Sequence, residues 1–255
     1  MTGFIDVDES GRYSAWRAEG RMINRKIANM IRTVLDSGLP AFLRDNQWFM
    51  YPLFFVLYRG KNVRKYMTFK AYAHSLSPAE FRAIYEEVGS LTSVRETDLN
   101  SASLEYILSQ LDKNSKTLLD VGCGSVFFLK KAQAAGFEVT GADIAKRLNH
   151  DGIPYHQSSI EKLPFADGEF DIVTCLHTLE HVLDPKIALR ELKRVAKKQL
   201  VIVVPCQRYF FLTFDLHLHF FPEEASLVDL IDEKHLVIKK LDGDWNCIAT
   251  LENAS

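Results

Sequence analysis

From Lys113 onward the chain alternates two patterns. Short apolar runs rich in β-branched residues ("KTLLDVG", "FEVTGADI", "FDIVTCL" and "KQLVIVVP") are separated by amphipathic stretches at 127–135 and 185–196. Continuous apolar runs suit strands buried on both faces, and the stretches between them suit helices. Alternation of the two predicts βαβ units, and hence a parallel sheet covered by helices on both sides. Further on, "HLVIKKL" and "WNCIATL" flank Gly243 and predict an antiparallel pair that closes the sheet.

Before Lys113 the pattern is helical. Trp16, Ile23, Ile27, Met30, Ile31 and Val34 recur at helical spacing and predict one amphipathic helix, ended by Gly38-Leu-Pro40. Ser77-Pro-Ala-Glu80 reads as a capping box ahead of Phe81, Ile84, Tyr85 and Val88, which predicts a second helix. A third is predicted over 101–111, with Leu104, Ile107, Leu108 and Leu111 on one side. The chain therefore divides, on this reading, into a helical module at 1–112 and an α/β domain at 113–255.

Charge sharpens that division. Between Arg12 and Arg82 thirteen Lys/Arg stand against four Asp/Glu, although the whole chain carries a net −2. The same segment holds thirteen aromatic residues. A basic, aromatic-rich module suggests a role in holding an acceptor, and its charge suggests an anionic one: a carrier-linked or phosphorylated molecule, an acidic headgroup, or RNA. Its apolar stretch Trp48–Tyr58 is eleven residues long with a proline inside, too short to span a bilayer. That stretch could line a pocket, touch a membrane surface, or pack helices together. With 47% hydrophobic and 25% charged residues the composition is that of a globular domain, with no overall basic excess to mark a nucleic-acid binder. The four cysteines are far apart and fit buried thiols in a reducing compartment. The first ten residues are acidic and lack an apolar leader core, so a cytoplasmic location is expected.

The chemistry concentrates in "LLDVGCGSVFF". Gly122 and Gly124 follow the first α/β strand and let the backbone turn sharply, bringing N–H groups and the N-terminus of the next helix to one place. Asp143, nineteen residues after Gly124, ends the next strand, where a carboxylate accepts hydrogen bonds from ribose hydroxyls. A nucleoside-containing ligand follows. NAD is disfavoured, because Phe127 occupies the place of the third fingerprint glycine and Asp120 would set negative charge beside a pyrophosphate. A cationic ligand suits the loop better, and S-adenosylmethionine is one.

Four segments in order, "LLDVGCG", "GADI", "EKLPFADGEFDIVTCLHTLEHVLDP" and "ALRELKRVAKKQLVIVVP", resemble the class I S-adenosylmethionine-dependent methyltransferases of the small-molecule type. The resemblance covers roughly 118–205 and implies a Rossmann-like, doubly wound, seven-stranded mainly parallel sheet. It also implies S-adenosylmethionine as cofactor. Carried over by position, Asp120, Gly122, Cys123 and Gly124 would cradle its methionine portion. Asp143 would take the ribose, and Ile144 would lie against the adenine. Ser159 and Ile160 stand where the family often has Asp-Ala, so a serine oxygen replaces the acid that meets the adenine amino group. Leu176 and His177 would border the methyl group. Val126 replaces the third glycine of the commoner Gly-x-Gly-x-Gly and is expected to narrow that side of the cofactor site.

Methyl transfer to a hydroxyl gains from a general base, usually histidine. His177 and His181 in "HTLEHVLDP" are the candidates, His177 because it lies just past a strand end. His217 and His219 alternate with apolar residues, but no further ligand cluster accompanies them, so no metal is assigned. The activity expected is transfer of a methyl group to oxygen or nitrogen of a small-molecule, lipid-linked or glycan-linked acceptor. The rival readings are an RNA methyltransferase using the basic module, and a non-catalytic S-adenosylmethionine-binding protein.

Overall fold

The computed structural model describes residues 38–92, 97–146 and 152–252. The helix expected over Trp16–Val34 lies outside the described residues. Contacts along the chain group Met1–Leu39 and Pro40–Ser255 as two compact units, and everything below concerns the second.

Seven strands form one sheet in the order β3-β2-β1-β4-β5-β7-β6. They are β1 (Thr117–Val121), β2 (Glu138–Asp143), β3 (Tyr155–Gln157), β4 (Phe170–Leu176), β5 (Ala196–Pro205), β6 (His235–Leu241) and β7 (Asp244–Thr250). The first five run parallel, and β7 pairs antiparallel with both β5 and β6. The fold is thus the doubly wound, mainly parallel α/β sheet that the alternation of patterns predicts.

Side chains alternate across the central strands and build a core on each face. Leu119, Val121, Val173 and Cys175 point one way, into a cluster with Ala188, Leu189, Leu192 and Val195 of the helix Pro185–Val195. Leu118 and Ile172 point the other way, against Ile107 of the helix Ser101–Gln110 and Phe128, Leu129 and Ala132 of the helix Phe127–Ala134. The capping side chain of Asn100 starts the first of these two helices, accepting the Ser103 N–H at 2.8 Å, and its amide also donates to Asp244 at the head of β7 (2.7 Å). Residues near 112 are therefore tied into the sheet, and the 112/113 boundary read from the sequence falls inside the Pro40–Ser255 unit.

The helices that precede Ser101 make a third core. In chain order we label them α1 (Ala41–Arg44), α2 (Gln47–Leu57), α3 (Val63–Met67), α4 (Phe69–Tyr72) and α5 (Pro78–Thr92). Met50, Phe54, Tyr58, Tyr66, Phe69, Phe81 and Ile84 pack there with Leu212, Leu216 and Leu218 from the segment that follows β5. The capping box of α5 forms as read: Glu80 accepts the Ser77 N–H at 2.8 Å, and Ser77 Oγ accepts the Glu80 N–H at 3.3 Å. Ile144 and Leu183, just past β2 and near the end of the β4 connection, touch this core. Helices before the sheet thereby reach its carboxyl ends.

Candidate functional site

The order of strands reverses between β1 and β4, and a doubly wound sheet opens a crevice at the carboxyl ends there. At the end of β1, Gly122 (φ +77°) donates its N–H to Ala142 O at 2.7 Å, and the Cys123 N–H reaches the same carbonyl at 3.2 Å. A Cβ on Gly122 would lie 2.1 Å from Thr178 Oγ1, so no side chain fits. Gly124 (φ +50°) donates to Asp143 Oδ2 at 2.9 Å, and Asp143 Oδ1 accepts the Ala145 N–H at 2.9 Å. Asp143 is thus held across the β1 loop and its own turn, which aims the carboxylate while leaving lone pairs for a ligand.

Asp120 is buried beneath this loop, where Thr174 Oγ1 donates to its Oδ1 at 2.6 Å. Burial, with the Asp143 charge adding to it, outweighs the Thr174 hydrogen bond and pushes its pKa up to about 7. Two carboxylates meet here, and no Lys or Arg makes a hydrogen bond or ion pair with either among the described residues. Such a donor set repels phosphate and suits hydroxyls and an ammonium.

The side chain of Cys123 turns away from the loop's open side. It is buried in the core, and its Sγ would lie 2.8 Å from a Cβ on Gly141, so any contact of this residue with a ligand is through its backbone. Its carbonyl accepts the Val126 N–H at 2.9 Å, so what it contributes is turn geometry. Val126 adopts φ +58° and buries its side chain in the core beside Phe128 and Leu129. Its isopropyl group is therefore core material, and the expected narrowing of the ligand side gains no support. Ser159 Oγ accepts the Glu161 N–H at 3.2 Å, and Ile160 is half-buried against the first core. Leu176 is half-buried at the end of β4.

His177 follows Leu176 in a left-handed conformation (φ +50°) that costs strain in a residue with a Cβ. Its Nε2 lies 3.1 Å from Asp244 Oδ2, and its Nδ1 lies 3.4 Å from Glu180 Oε1. Burial opposes charging of the ring, but the two carboxylates outweigh it and hold the pKa up at about 10. An imidazolium with a carboxylate on each nitrogen has no lone pair with which to take a proton. His177 thus clamps β4 to β7, with a carboxylate beside each ring nitrogen.

His181 is the candidate that keeps an uncommitted nitrogen. Its Nδ1 is buried without a hydrogen-bond partner, as are both carboxylate oxygens of Glu180, which make no bond beyond the ion pair with His177. Its ring lies edge-on to Tyr85 of α5 and to His217, with centroids 5.6 and 4.7 Å away. Glu180, His181 and His217 bring ligand-type atoms within 4.8 Å of one another, the one such group of three among the described residues. His217 joins this cluster through its own loop, while His219 turns its Nε2 to Val182 O at 2.9 Å. The two histidines that alternate in the sequence thus have different partners. Spacing along the chain missed Glu180 as a site residue, and also Thr174 and Thr178 on β4 and the turn after it, and Asp244 at the head of β7, because their partners are residues distant in sequence or set by the turn's conformation.

Comparison with known proteins places this geometry. A family model described as a methyltransferase domain matches residues 119–204. That match takes in β1, the glycine loop, Asp143, and β4 with the turn that follows. These residues form a class I S-adenosylmethionine-dependent methyltransferase domain. Among curated relatives, a ubiquinone biosynthesis O-methyltransferase of Xanthomonas oryzae is 34% identical over 110 residues, covering 39% of this chain and 46% of the relative. One of Coxiella burnetii is 33% identical over 127 residues, covering 46% of this chain and 51% of the relative. The chain thus spans about half the length of these curated relatives.

Solved structures agree on the fold of the methyltransferase domain. The magnesium protoporphyrin IX methyltransferase of Synechocystis matches with a TM-score of 0.50 at 16% identity, over 69% of this chain and 98% of that one. A chain in a complex with the Haloferax volcanii Trm112 methyltransferase activator matches with a TM-score of 0.52 at 14% identity, over 70% and 99%.

Proposed function

We propose that this chain transfers a methyl group from S-adenosylmethionine to an oxygen of a small-molecule acceptor. The observation that carries the reading is the Asp143 carboxylate, fixed by the Gly124 and Ala145 N–H groups at the strand-order reversal inside the methyltransferase domain. The names of the curated relatives, O-methyltransferases of ubiquinone biosynthesis, support oxygen as the atom methylated.

In this proposal Asp143 receives the ribose hydroxyls, Ile144 borders the adenine, and Ser159 and Ile160 flank it. Gly122 and Gly124 let the backbone approach the methionine portion, and Asp120 lies buried beneath them, where the ammonium of the bound cofactor would favour its charged form. Leu176 borders the methyl group. S-adenosylmethionine supplies, when bound, a methyl carbon already activated by a positive sulfur. The protein's part is then to align the acceptor, an effect worth up to roughly 7–11 kcal/mol. The acceptor reaches the site beside α5 and the segment after β5, and His181 takes the hydroxyl proton on Nδ1. His177, held protonated, keeps Glu180 in place as its counter-ion.

Calorimetric titration with S-adenosylmethionine tests the reading, with NADH as control and Asp143→Ala alongside. Saturable binding of S-adenosylmethionine alone is expected. Loss of charge-assisted hydrogen bonds, about 1.5–3 kcal/mol, should weaken it roughly 10- to 100-fold in the variant. Equal binding by wild type and variant would remove Asp143 from the site, and no binding by wild type would sink the reading itself.

A further inference from the structure

Helix α2 lacks a polar face. Its sequence, QWFMYPLFFVL, contains no charged residue. Met50 and Phe54 turn inward, while Trp48 (90% exposed), Val56 (74%) and Phe55 (50%) face outward, joined by Phe42 of α1 (74%). A helix on a globular surface ordinarily turns charge to the solvent. Here the outer side is as apolar as the inner one, and a contiguous patch of that kind marks an interaction surface.

The charge around the patch is predominantly positive, with Asp45 the one acid on the stretch from Phe42 to Ala79. From Asn46 to Ala79 the chain has five Lys/Arg and no Asp or Glu. Lys70 turns inward to the Phe210 carbonyl, and Lys65 pairs with Glu87 at 3.0 Å. Arg59, Lys61 and Arg64 stand exposed just beyond the C-terminal end of α2.

We infer that α2 docks flat on an anionic lipid surface. Its outward aromatic and aliphatic side chains enter the boundary between headgroups and acyl chains, and Arg59, Lys61 and Arg64 meet the lipid phosphates. An apolar stripe with tryptophan and tyrosine, edged by basic residues of one sign, is the pattern of a helix that lies in a membrane interface. At eleven residues α2 is about 16 Å long, and no described helix is long and apolar enough to cross a membrane. Lying on the surface is the arrangement left to it. A second copy of this chain is the competing occupant, and the state of association of the Trp48/Phe55 variant distinguishes the two. The inference stands independently of methyl transfer.

Flotation of the full chain with vesicles tests it, using phosphatidylcholine alone or mixed with phosphatidylglycerol. Wild type should float with the mixed vesicles, leave them as salt rises, and shift part of its tryptophan emission to the blue. Trp48→Ser/Phe55→Ser should weaken the partition roughly 10-fold or more and abolish the blue shift. Arg59→Glu/Lys61→Glu should weaken it roughly 5-fold per charge removed, on the mixed vesicles alone. All four positions are exposed, so an unchanged unfolding midpoint shows each variant intact. Wild type that ignores the mixed vesicles overturns the inference, as does undiminished binding by the Trp48/Phe55 variant. So does a dimer, seen by ultracentrifugation, that the Trp48/Phe55 variant dissolves, since the occupant would then be a second copy.

Discussion

Gly122, Val126 and His177 all have a left-handed backbone, and each bears it for a different reason. Gly122 has no Cβ to strain, and Thr178 fills the space one would occupy. Gly122→Ala must therefore meet both an unfavourable backbone, about 1–2 kcal/mol, and overpacking, about 1–3 kcal/mol. A loss of about 2–4 kcal/mol of stability is expected in urea unfolding, and a loss below about 1 kcal/mol would mean that Thr178 moves aside at little cost. Val126 accepts the strain because its side chain is buried, a gain of about 1.5–3 kcal/mol, comparable with or larger than the backbone cost. The sequence shows the missing glycine at 126 but not its compensation, which depends on where the isopropyl group points. In the same way Cys123 reads as a loop residue by position, yet its sulfur belongs to the core.

Between elements, the decisive contact is the clamp that joins the end of β4 to the start of β7. His177 and Glu180 come from the turn after β4 and Asp244 from β7, and Asn100, the cap of the helix Ser101–Gln110, extends the link to a third element. In the folded state the histidine keeps its proton up to about pH 10, whereas unfolded it would lose it near pH 6.5. Its ion pairs therefore stabilise the fold fully below about pH 6.5, and this contribution is lost as pH rises toward 10. The stability gap between wild type and His177→Asn should be largest near pH 6 and shrink steadily toward pH 10 in denaturant titrations. A gap that stays constant or widens over that range would show that the histidine is neutral in the fold. Sequence position alone made His177 a candidate base. Only the approach of β7, an element some seventy residues away in the chain, decides that both its nitrogens are occupied.

For the whole molecule, a ligand that binds the folded chain alone must raise its unfolding temperature. S-adenosylmethionine at about a hundred times its dissociation constant adds about 2.7 kcal/mol, which for a chain of this size corresponds to a rise of about 5–10 °C. NADH should produce none. A thermal-shift measurement in which the two ligands behave alike would leave the nucleoside specificity unexplained. The sheet, its parallel core, its antiparallel closure and the glycine loop were all legible in the amino-acid order, since strand and helix periodicity and turn residues are local signals. The same holds for the Ser77–Glu80 capping box and for the acid that ends β2. What required the tertiary structure was the set of contacts between residues distant in sequence. Helices at 40–111 join the sheet in one unit, His177 is locked while His181 keeps a free nitrogen, and the aromatic stretch at 48–58 splits into a buried side and an exposed one. Periodicity shows that a side chain is apolar and which neighbours share its face. Whether that face meets protein or solvent is decided when the elements pack.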